Sequence, residues 1–269
     1  MAARTRYAAH RGGAALWPEN SLLAFRQALA LGCDLLELDV HLTADGDVAV
    51  IHDRNLERTT EGSGPVSART AAELARLRLR GLDGALTDER IPSFADVLGL
   101  VGAARSGLLV EIKGPGVGAL WERRGATVGP VPGPRYEGLE DGVLGRLGAA
   151  GLAERASVMA FNPEVLARVR SRAPRQRTTL LVAGRHLWMT DARAEETIGW
   201  AVAAGATDLG LEYTLVDERL VRAAHAAGLG LGAWTVNDET AMRDLAGLGV
   251  DIITTDRPDL ARRVLARAS

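Results

Sequence analysis

Short apolar segments alternate with longer segments of helical periodicity along almost the whole chain, and this alternation limits the possible folds more than any other feature. Strands that alternate with helices form parallel sheets, because each helix returns the chain to the same edge of the sheet. The repeating unit occurs roughly eight times, the number of units in a (β/α)8 barrel. The pattern therefore favours an α/β protein with a closed TIM barrel over an open, doubly wound sheet.

Nine segments are predicted as strands, and one of them, 48–52, fits either a barrel strand or a short return strand. The others are 6–10, 35–41, 108–113, 157–161, 178–182, 208–211, 229–235 and 251–254. Helices are predicted between them, including 71–79 and 192–204. Residues 54–90 are too many for a simple connection and predict a small insertion, whereas the Gly- and Pro-rich residues 114–134 predict a loop.

The length of 269 residues is typical of one barrel. We therefore expect residues 1–269 to form a single domain that includes the 54–90 insertion. The net charge of −2 leaves no basic excess for neutralising phosphates, which argues against a general nucleic-acid-binding protein. The one cysteine, Cys33, excludes an internal disulfide framework, and we expect it to be buried as a small hydrophobic residue.

Residues 1–10 lack the apolar core of a signal peptide, and no segment approaches the roughly 18 apolar residues of a membrane span. We therefore expect a cytoplasmic protein without a membrane anchor. The sequence is compatible with more than one oligomeric state.

Acidic residues on two predicted strands are expected to point into the barrel. Glu37 and Asp39 lie two positions apart and so share a face, and Glu111 repeats the pattern on a later strand. Burying three carboxylates together is costly unless a cation compensates. Their oxygen ligands suit one divalent cation, Mg²⁺ or Ca²⁺, and Mn²⁺ also fits. The alternative is a salt-bridge network with Arg11 and Lys113.

Two histidines, His10 and His52, end predicted strands beside these acids. Cleaving a phosphodiester requires one proton to leave the nucleophile and another to reach the leaving oxygen, and histidine titrates near neutral pH. The pair is therefore predicted to act as general acid and base. Asp53 is expected to form a local hydrogen bond. The remaining histidines are interpreted as structural or surface residues: His41, His186 and His225.

Four motifs at predicted strand ends, taken in order, resemble the glycerophosphodiester phosphodiesterase family. They are HRGG at 10–13, ELDVHLTADG at 37–46, IHD at 51–53 and EIK at 111–113. Residues 9–60 resemble the opening signature of this family nearly throughout. The segments IPSFADVL, FNPEVLARV, AHAAGLGLGAWTVND and GVDIITTDRPDL continue the resemblance. It implies a (β/α)8 barrel with a small insertion after the second strand.

The roles that the resemblance implies for individual residues agree with the roles argued above from the strand-end acids and histidines. The resemblance implies that His10 and His52 are the general acid/base pair. It also implies that Glu37, Asp39 and Glu111 bind the divalent cation.

The resemblance implies further contacts with the substrate. Arg11 and Lys113 correspond to cationic residues near the phosphate, and Lys113 is the only lysine of the chain. Phe161 and Trp234 correspond to residues that line the pocket for the alcohol, and core packing is the other interpretation of both. Ala160 departs from the family, in which a serine often stands at this position.

The implied reaction is hydrolysis of a glycerophosphodiester to glycerol 3-phosphate and an alcohol such as choline, ethanolamine or glycerol. Water and the neighbouring glycerol hydroxyl both fit the role of nucleophile. Two alternatives stay open. A lysophospholipase D-type enzyme would need an apolar groove or a membrane-binding surface, and the sequence shows no amphipathic anchor. A catalytically silent barrel would bind phosphorylated ligands without turnover.

Overall fold

Strands and helices alternate along the chain in the computed structural model, which describes residues 4–116 and 120–265. In chain order the strands are β1 (Arg6–Ala9), β2 (Leu35–Leu42), β3 (Val48–Val50), β4 (Arg78–Arg80), β5 (Leu86–Arg90), β6 (Gly107–Ile112), β7 (Trp121–Arg124), β8 (Thr127–Pro130), β9 (Ala156–Ala160), β10 (Arg177–Val182), β11 (Asp208–Glu212), β12 (Gly230–Trp234) and β13 (Ile252–Thr255). The helices are α1 (Leu22–Ala30), α2 (Ala71–Leu74), α3 (Phe94–Gly102), α4 (Leu139–Ala149), α5 (Pro163–Arg172), α6 (Gly184–Thr190), α7 (Glu196–Ala203), α8 (Glu218–Ala226), α9 (Glu239–Leu248) and α10 (Pro258–Leu265).

Eight parallel strands close into a barrel in the order β1, β2, β6, β9, β10, β11, β12 and β13. The pairing of β13 with β1 completes the ring, and this confirms the predicted (β/α)8 fold. The open assignment of 48–52 is now settled, because β3 pairs antiparallel with β2 as a return strand. The insertion after the second strand contains α2 and the β4–β5 hairpin. Within the described residues, no helix is long and apolar enough to cross a membrane.

The main core lies between the barrel and its helices. In β2, Leu36, Leu38 and Val40 are fully buried in this core, together with Phe25 of α1 and Val97 of α3. Because side chains alternate along a strand, the residues between these apolar positions face the barrel interior. The same strand therefore supplies both core residues and site residues.

Three of the predicted segments differ from the structure. The helix expected at 71–79 ends at Leu74, and the chain continues into β4; the helix expected at 192–204 begins only at Glu196. Residues 114–134 contain the β7–β8 hairpin where a loop was predicted. This hairpin is held by a distant contact, because Trp121 stacks on Trp200 with ring centroids 4.6 Å apart. Such tertiary contacts leave no periodic signal in the local sequence.

Cys33 lies before β2 and is only 3% exposed. Burial raises the pKa of its thiol to about 12, so very little reactive thiolate exists near neutral pH. We expect Cys33 in the folded protein to resist a thiol reagent such as dithionitrobenzoate at about pH 8. In the unfolded chain the same thiol should react and release one equivalent of thionitrobenzoate, because the chain has one cysteine. The absorbance of the released thionitrobenzoate, measured with and without guanidinium, reports the reactivity of the unfolded and the folded protein. Rapid labelling of the folded protein would contradict the burial of Cys33.

Candidate active site

One cavity of about 1010 Å³ is lined by side chains from the carboxyl ends of several barrel strands. It brings together residues that lie far apart in the sequence. Eight of the nine predicted site residues line it, and Asp39 is fully buried in the barrel beside them. The eight are His10, Arg11, Glu37, His52, Glu111, Lys113, Phe161 and Trp234.

The predicted carboxylates form a buried cluster. Glu37, Asp39 and Glu111 each offer an oxygen atom, and these three atoms lie within 4.8 Å of one another. Asp39 and Glu111 are direct partners in the β2–β6 register, which explains why the acids of two strands meet. The amide of Asn20 donates to Oδ2 of Asp39 at 2.9 Å and fixes that carboxylate.

Two cations lie against this cluster. Nζ of Lys113 is 2.9 Å from Oδ1 of Asp39 and 2.5 Å from Oε1 of Glu111. Nε of Arg11 is 3.3 Å from Oδ2 of Asp39, and its backbone N–H donates to Oε2 of Glu37 at 2.9 Å. The salt-bridge network considered above is therefore present. It is incomplete, since only two permanently charged cations, Lys113 and Arg11, contact the three carboxylates. Among the described residues, the buried Oδ1 of Asp39 also accepts no hydrogen bond of regular geometry.

The pKa values of Glu37 and Asp39 show the same excess of negative over positive charge. Burial and repulsion by Asp39 raise the pKa of Glu37 above its ordinary value. Burial also acts to raise the pKa of Asp39, but Lys113 and Arg11 outweigh it and hold that pKa well below its usual range. One further cation would relieve the unfavourable charge on Glu37. The donor set, all of it oxygen, fits a divalent cation.

His10 is oriented by the carboxylate of the residue that directly follows the last strand of the barrel. Its Nδ1 lies 2.6 Å from Oδ1 of Asp256, and Asn237 donates to the other oxygen of Asp256 at 2.7 Å. An ionised carboxylate only accepts, so Nδ1 carries the proton of this bond. Burial acts to lower the pKa of His10, but Glu37 and the bond to Asp256 outweigh it and leave the pKa raised.

His52 has a matching arrangement, in which a carboxylate also contacts Nδ1. Its Nδ1 lies 2.6 Å from Oδ1 of Asp53, which confirms a local hydrogen bond for that residue. Arg58 donates to Asp53 in turn at 2.6 Å. Burial lowers the pKa of His52, and Lys113 adds to this effect against the opposing influence of Asp39.

A tight turn at the HRGG motif positions the first half of the site. Residues His10–Gly12 form a 3-10 turn in which Arg11 has φ +51° and Gly12 has φ +83°. A Cβ atom at Gly12 would lie only 2.7 Å from Cβ of Ala24. Glycine is therefore required here both for the backbone conformation and for the close approach of α1.

A model of the glycerophosphoryl diester phosphodiesterase family matches residues 10–260. The chain belongs to this family. The glycerophosphodiester phosphodiesterase of Caldanaerobacter subterraneus subsp. tengcongensis is 31% identical over 257 residues, which cover 95% of this chain and 96% of the relative. That of Bacillus altitudinis is 31% identical over 264 residues, with coverage of 97% and 98%. The crystal structure of the enzyme from Agrobacterium tumefaciens str. C58 aligns with a TM-score of 0.76 at 26% identity, covering 97% of this chain and 100% of that chain.

The two aromatic residues that the phosphodiesterase resemblance placed in the alcohol pocket are neighbours. The rings of Phe161 and Trp234 meet edge to face with centroids 5.6 Å apart. The ring of His186 lies 5.5 Å from Phe161, and the guanidinium carbon of Arg185 lies 5.2 Å from the same ring. Phe161 and Trp234 also pack on the apolar residues of the barrel interior, so core packing describes part of their environment, and both side chains line the cavity.

Sequence reasoning missed two residues that support this phosphodiesterase site. Asp256 pairs with His10, and Asn20 holds Asp39. His41, which was interpreted as structural or surface, is buried in the cavity wall and has a structural contact, a hydrogen bond to the backbone oxygen of His52 at 3.0 Å. Asp256 directly follows β13, so the rule that located the other strand-end residues would also have found it.

Proposed function

We propose that this phosphodiesterase hydrolyses glycerophosphodiesters to glycerol 3-phosphate and an alcohol. His10 and His52 act as the general acid/base pair, and Glu37, Asp39 and Glu111 bind one divalent cation. One observation carries the proposal. Two histidines, each hydrogen-bonded to a carboxylate, lie at the same cavity as a buried cluster of acids whose negative charge is only partly balanced. Residues 1–269 act as a single domain in this proposal.

The cation is Mg²⁺, Ca²⁺ or Mn²⁺, because the three ligands all donate oxygen. When bound, it would stabilise the negative charge of the phosphoryl oxygens and the negative charge that develops in the transition state. Arg11 and Lys113 add fixed positive charge beside the phosphate. Both already contact the carboxylates, so their side chains are held in place before substrate binds.

The histidines move the protons. In both His10 and His52, Nδ1 is hydrogen-bonded to a carboxylate, so Nε2 is the nitrogen that can exchange a proton with the substrate. One histidine removes the proton from the nucleophile, either water or the neighbouring glycerol hydroxyl. The other histidine donates a proton to the alcohol oxygen as its bond to phosphorus breaks. Phe161 and Trp234 contact the organic part of the substrate.

The direct test uses purified protein that has been treated with a chelator. We expect no formation of glycerol 3-phosphate from glycerophosphocholine until Mg²⁺, Ca²⁺ or Mn²⁺ is restored. Glycerophosphoethanolamine and glycerophosphoglycerol complete the substrate panel. Full turnover without any divalent cation would refute the role of the carboxylates. Ligand binding without turnover of any diester, whatever the cation, would show a catalytically silent barrel instead.

A further inference from the structure

The insertion after the second barrel strand packs closely beneath His52. It has a second apolar core, separate from the main core, which includes Leu56 and also Ile51, the residue directly before His52. In the turn that carries Arg58, Oγ1 of Thr60 donates to the backbone oxygen of Leu56 at 2.7 Å, and both of these residues are fully buried. The backbone on either side of Arg58 is therefore fixed.

Arg58 binds two carboxylates at once. Its Nε donates to Oδ2 of Asp53 at 2.6 Å, and its Nη2 donates to Oδ1 of the same residue at 3.0 Å. Nη1 and Nη2 donate to the two oxygens of Glu19, each at 2.8 Å. Because the guanidinium is planar and rigid, these paired hydrogen bonds fix the position of one carboxylate relative to the other.

Glu19 extends these contacts to the other half of the site. Its Oε1 also accepts from Nη1 of Arg11 at 3.0 Å, and Nε of Arg11 is 3.3 Å from Oδ2 of Asp39. Four side chains are thus joined in series, and we call them the charged bridge: Asp53, Arg58, Glu19 and Arg11. The bridge has two positive and two negative groups, and it connects His52 to the carboxylate cluster without adding net charge.

The two central members of the charged bridge lie outside the catalytic cavity. Asp53 and Arg11 are among the residues that line this cavity, whereas Arg58 and Glu19 are not. A substrate in the cavity would therefore meet the ends of the bridge and not its centre. Any effect of the central pair on the reaction has to pass through the residues that the pair holds.

The charges of the bridge keep its carboxylates ionised. The hydrogen bonds from Arg58 lower the pKa of Asp53 to about 2. Burial acts to raise the pKa of Glu19, but Arg58 and Arg11 outweigh it and leave that pKa lowered. An ionised carboxylate only accepts hydrogen bonds, so near neutral pH Asp53 keeps the proton of its bond to His52 on Nδ1.

We propose that Arg58 and Glu19 are positioning residues for the phosphodiesterase reaction. They hold Asp53 so that Nε2 of His52 stays directed at the phosphodiester, and they hold Arg11 beside the phosphate. The inference rests on the proposed function, which assigns the chemistry to the residues that the bridge holds. It also gives the insertion a role in catalysis, because the insertion carries the arginine that orients His52.

Turnover of glycerophosphocholine by R58M tests the proposal in the full-length protein with its divalent cation. Methionine keeps the apolar stem of the side chain but has no hydrogen-bond donor. We expect kcat to fall about tenfold to a hundredfold, since a displacement of about 1 Å at a catalytic group has an effect of that size. KM should change little, because Arg58 does not line the cavity. R58K should recover little of the loss, because an ammonium lacks the planar fork that binds both carboxylates.

Double variants show whether the bridge acts through His52. In the H52A background R58M should have almost no further effect on kcat, because the residue that Arg58 positions is already gone. E19Q removes a carboxylate that accepts three hydrogen bonds from two arginines, so it should also lower kcat. The combination R58M/E19Q should lose little more than R58M alone. Losses that multiply fully in both double variants would overturn the proposal.

The Nδ1 proton of His52 provides a readout that is independent of turnover and of the cation. Proton NMR of the chelated parent protein should show this proton at low field, because its bond to Asp53 slows exchange with water. H52A identifies the signal by its loss. In R58M the signal should broaden or disappear, since Asp53 is no longer held. A signal that is unchanged in R58M would show that Asp53 and His52 are ordered without Arg58.

R78M is the matched control. Arg78 belongs to β4 of the same insertion and is 43% exposed, against 49% for Arg58. It also donates to a glutamate through Nε and Nη2, but its partner is Glu61. R78M should keep the kcat, the KM and the low-field signal of the parent protein, and circular dichroism verifies the fold of every variant.

The two levels of the proposal fail in different ways. If the parent protein turns over glycerophosphocholine and R58M keeps the parental kcat, the positioning role is overturned and the proposed function stands. Equal losses in R58M and R78M would also overturn it, because they would reflect a general weakening of the insertion. Absence of turnover in the parent protein with every divalent cation would overturn the proposed function and this inference together.

Discussion

Replacing His10 or His52 by alanine should lower kcat about a hundredfold to ten-thousandfold, because a positioned general acid or base contributes a factor of that size. Both side chains lie at the cavity surface, with exposures of 18% and 30%, so neither change removes a core contact. Steady-state kinetics measure the loss, and circular dichroism verifies the fold. H225A is the matched control, since His225 is an exposed residue of α8 bonded to Asp251. Near-normal turnover in H10A or H52A would refute the pair.

A second substrate separates the roles of the two histidines. Glycerophospho-p-nitrophenol has a leaving group that departs without protonation. The variant that lacks the general acid should recover most of its loss on this diester, whereas the variant that lacks the general base should not. Equal losses on both substrates in both variants would mean that neither histidine protonates the leaving oxygen.

Replacing the carboxylates should abolish cation binding, yet two of the changes should move the stability of the cation-free protein in opposite directions. D39N removes a fully buried charge that Lys113 and Arg11 contact, so it should destabilise the chelated protein by about 3–5 kcal/mol. E37Q removes a carboxylate whose pKa is raised by burial and by Asp39. Above the pKa of Glu37 in the unfolded chain its charge opposes folding, so the chelated E37Q protein should be at least as stable as the parent.

Thermal unfolding after chelation, repeated with each cation restored, measures both effects. The parent protein should gain Tm with a cation, while D39N and E37Q should gain little and lose turnover by orders of magnitude. E122Q serves as the control, because Glu122 is an exposed acid of β7 outside the cluster. An undiminished cation-dependent gain of Tm in both variants would place the cation elsewhere.

The barrel strands could be predicted because their signal is local. Each strand is a short run of alternating or apolar residues, and the spacing of Glu37 and Asp39 fixes a shared face without any knowledge of the fold. Convergence of the motifs followed from the rule that the carboxyl ends of barrel strands share one face. The structure brings these residues to one cavity, as that rule predicts.

What the sequence missed depends on contacts between distant residues. The β7–β8 hairpin is held by the Trp121–Trp200 stack, and nothing in the Gly- and Pro-rich segment indicates that partner. Asp256 is 246 positions from His10, so their hydrogen bond has no local pattern. Lys113 was placed near the phosphate by resemblance. The structure adds that it lies between Asp39 and Glu111, a position that only the β2–β6 register defines.

The pairing of β13 with β1 has a consequence for biosynthesis. A ribosome-bound chain that ends before β13 already contains His10, His52 and all three carboxylates, but it lacks the strand that closes the ring and the aspartate that orients His10. In the proposed mechanism, such an intermediate lacks the hydrogen bond from His10 to Asp256 that prepares His10 for proton transfer. Activity should therefore appear only after β13 has been synthesised and has paired with β1, and chains truncated before β13 should be inert toward glycerophosphodiesters.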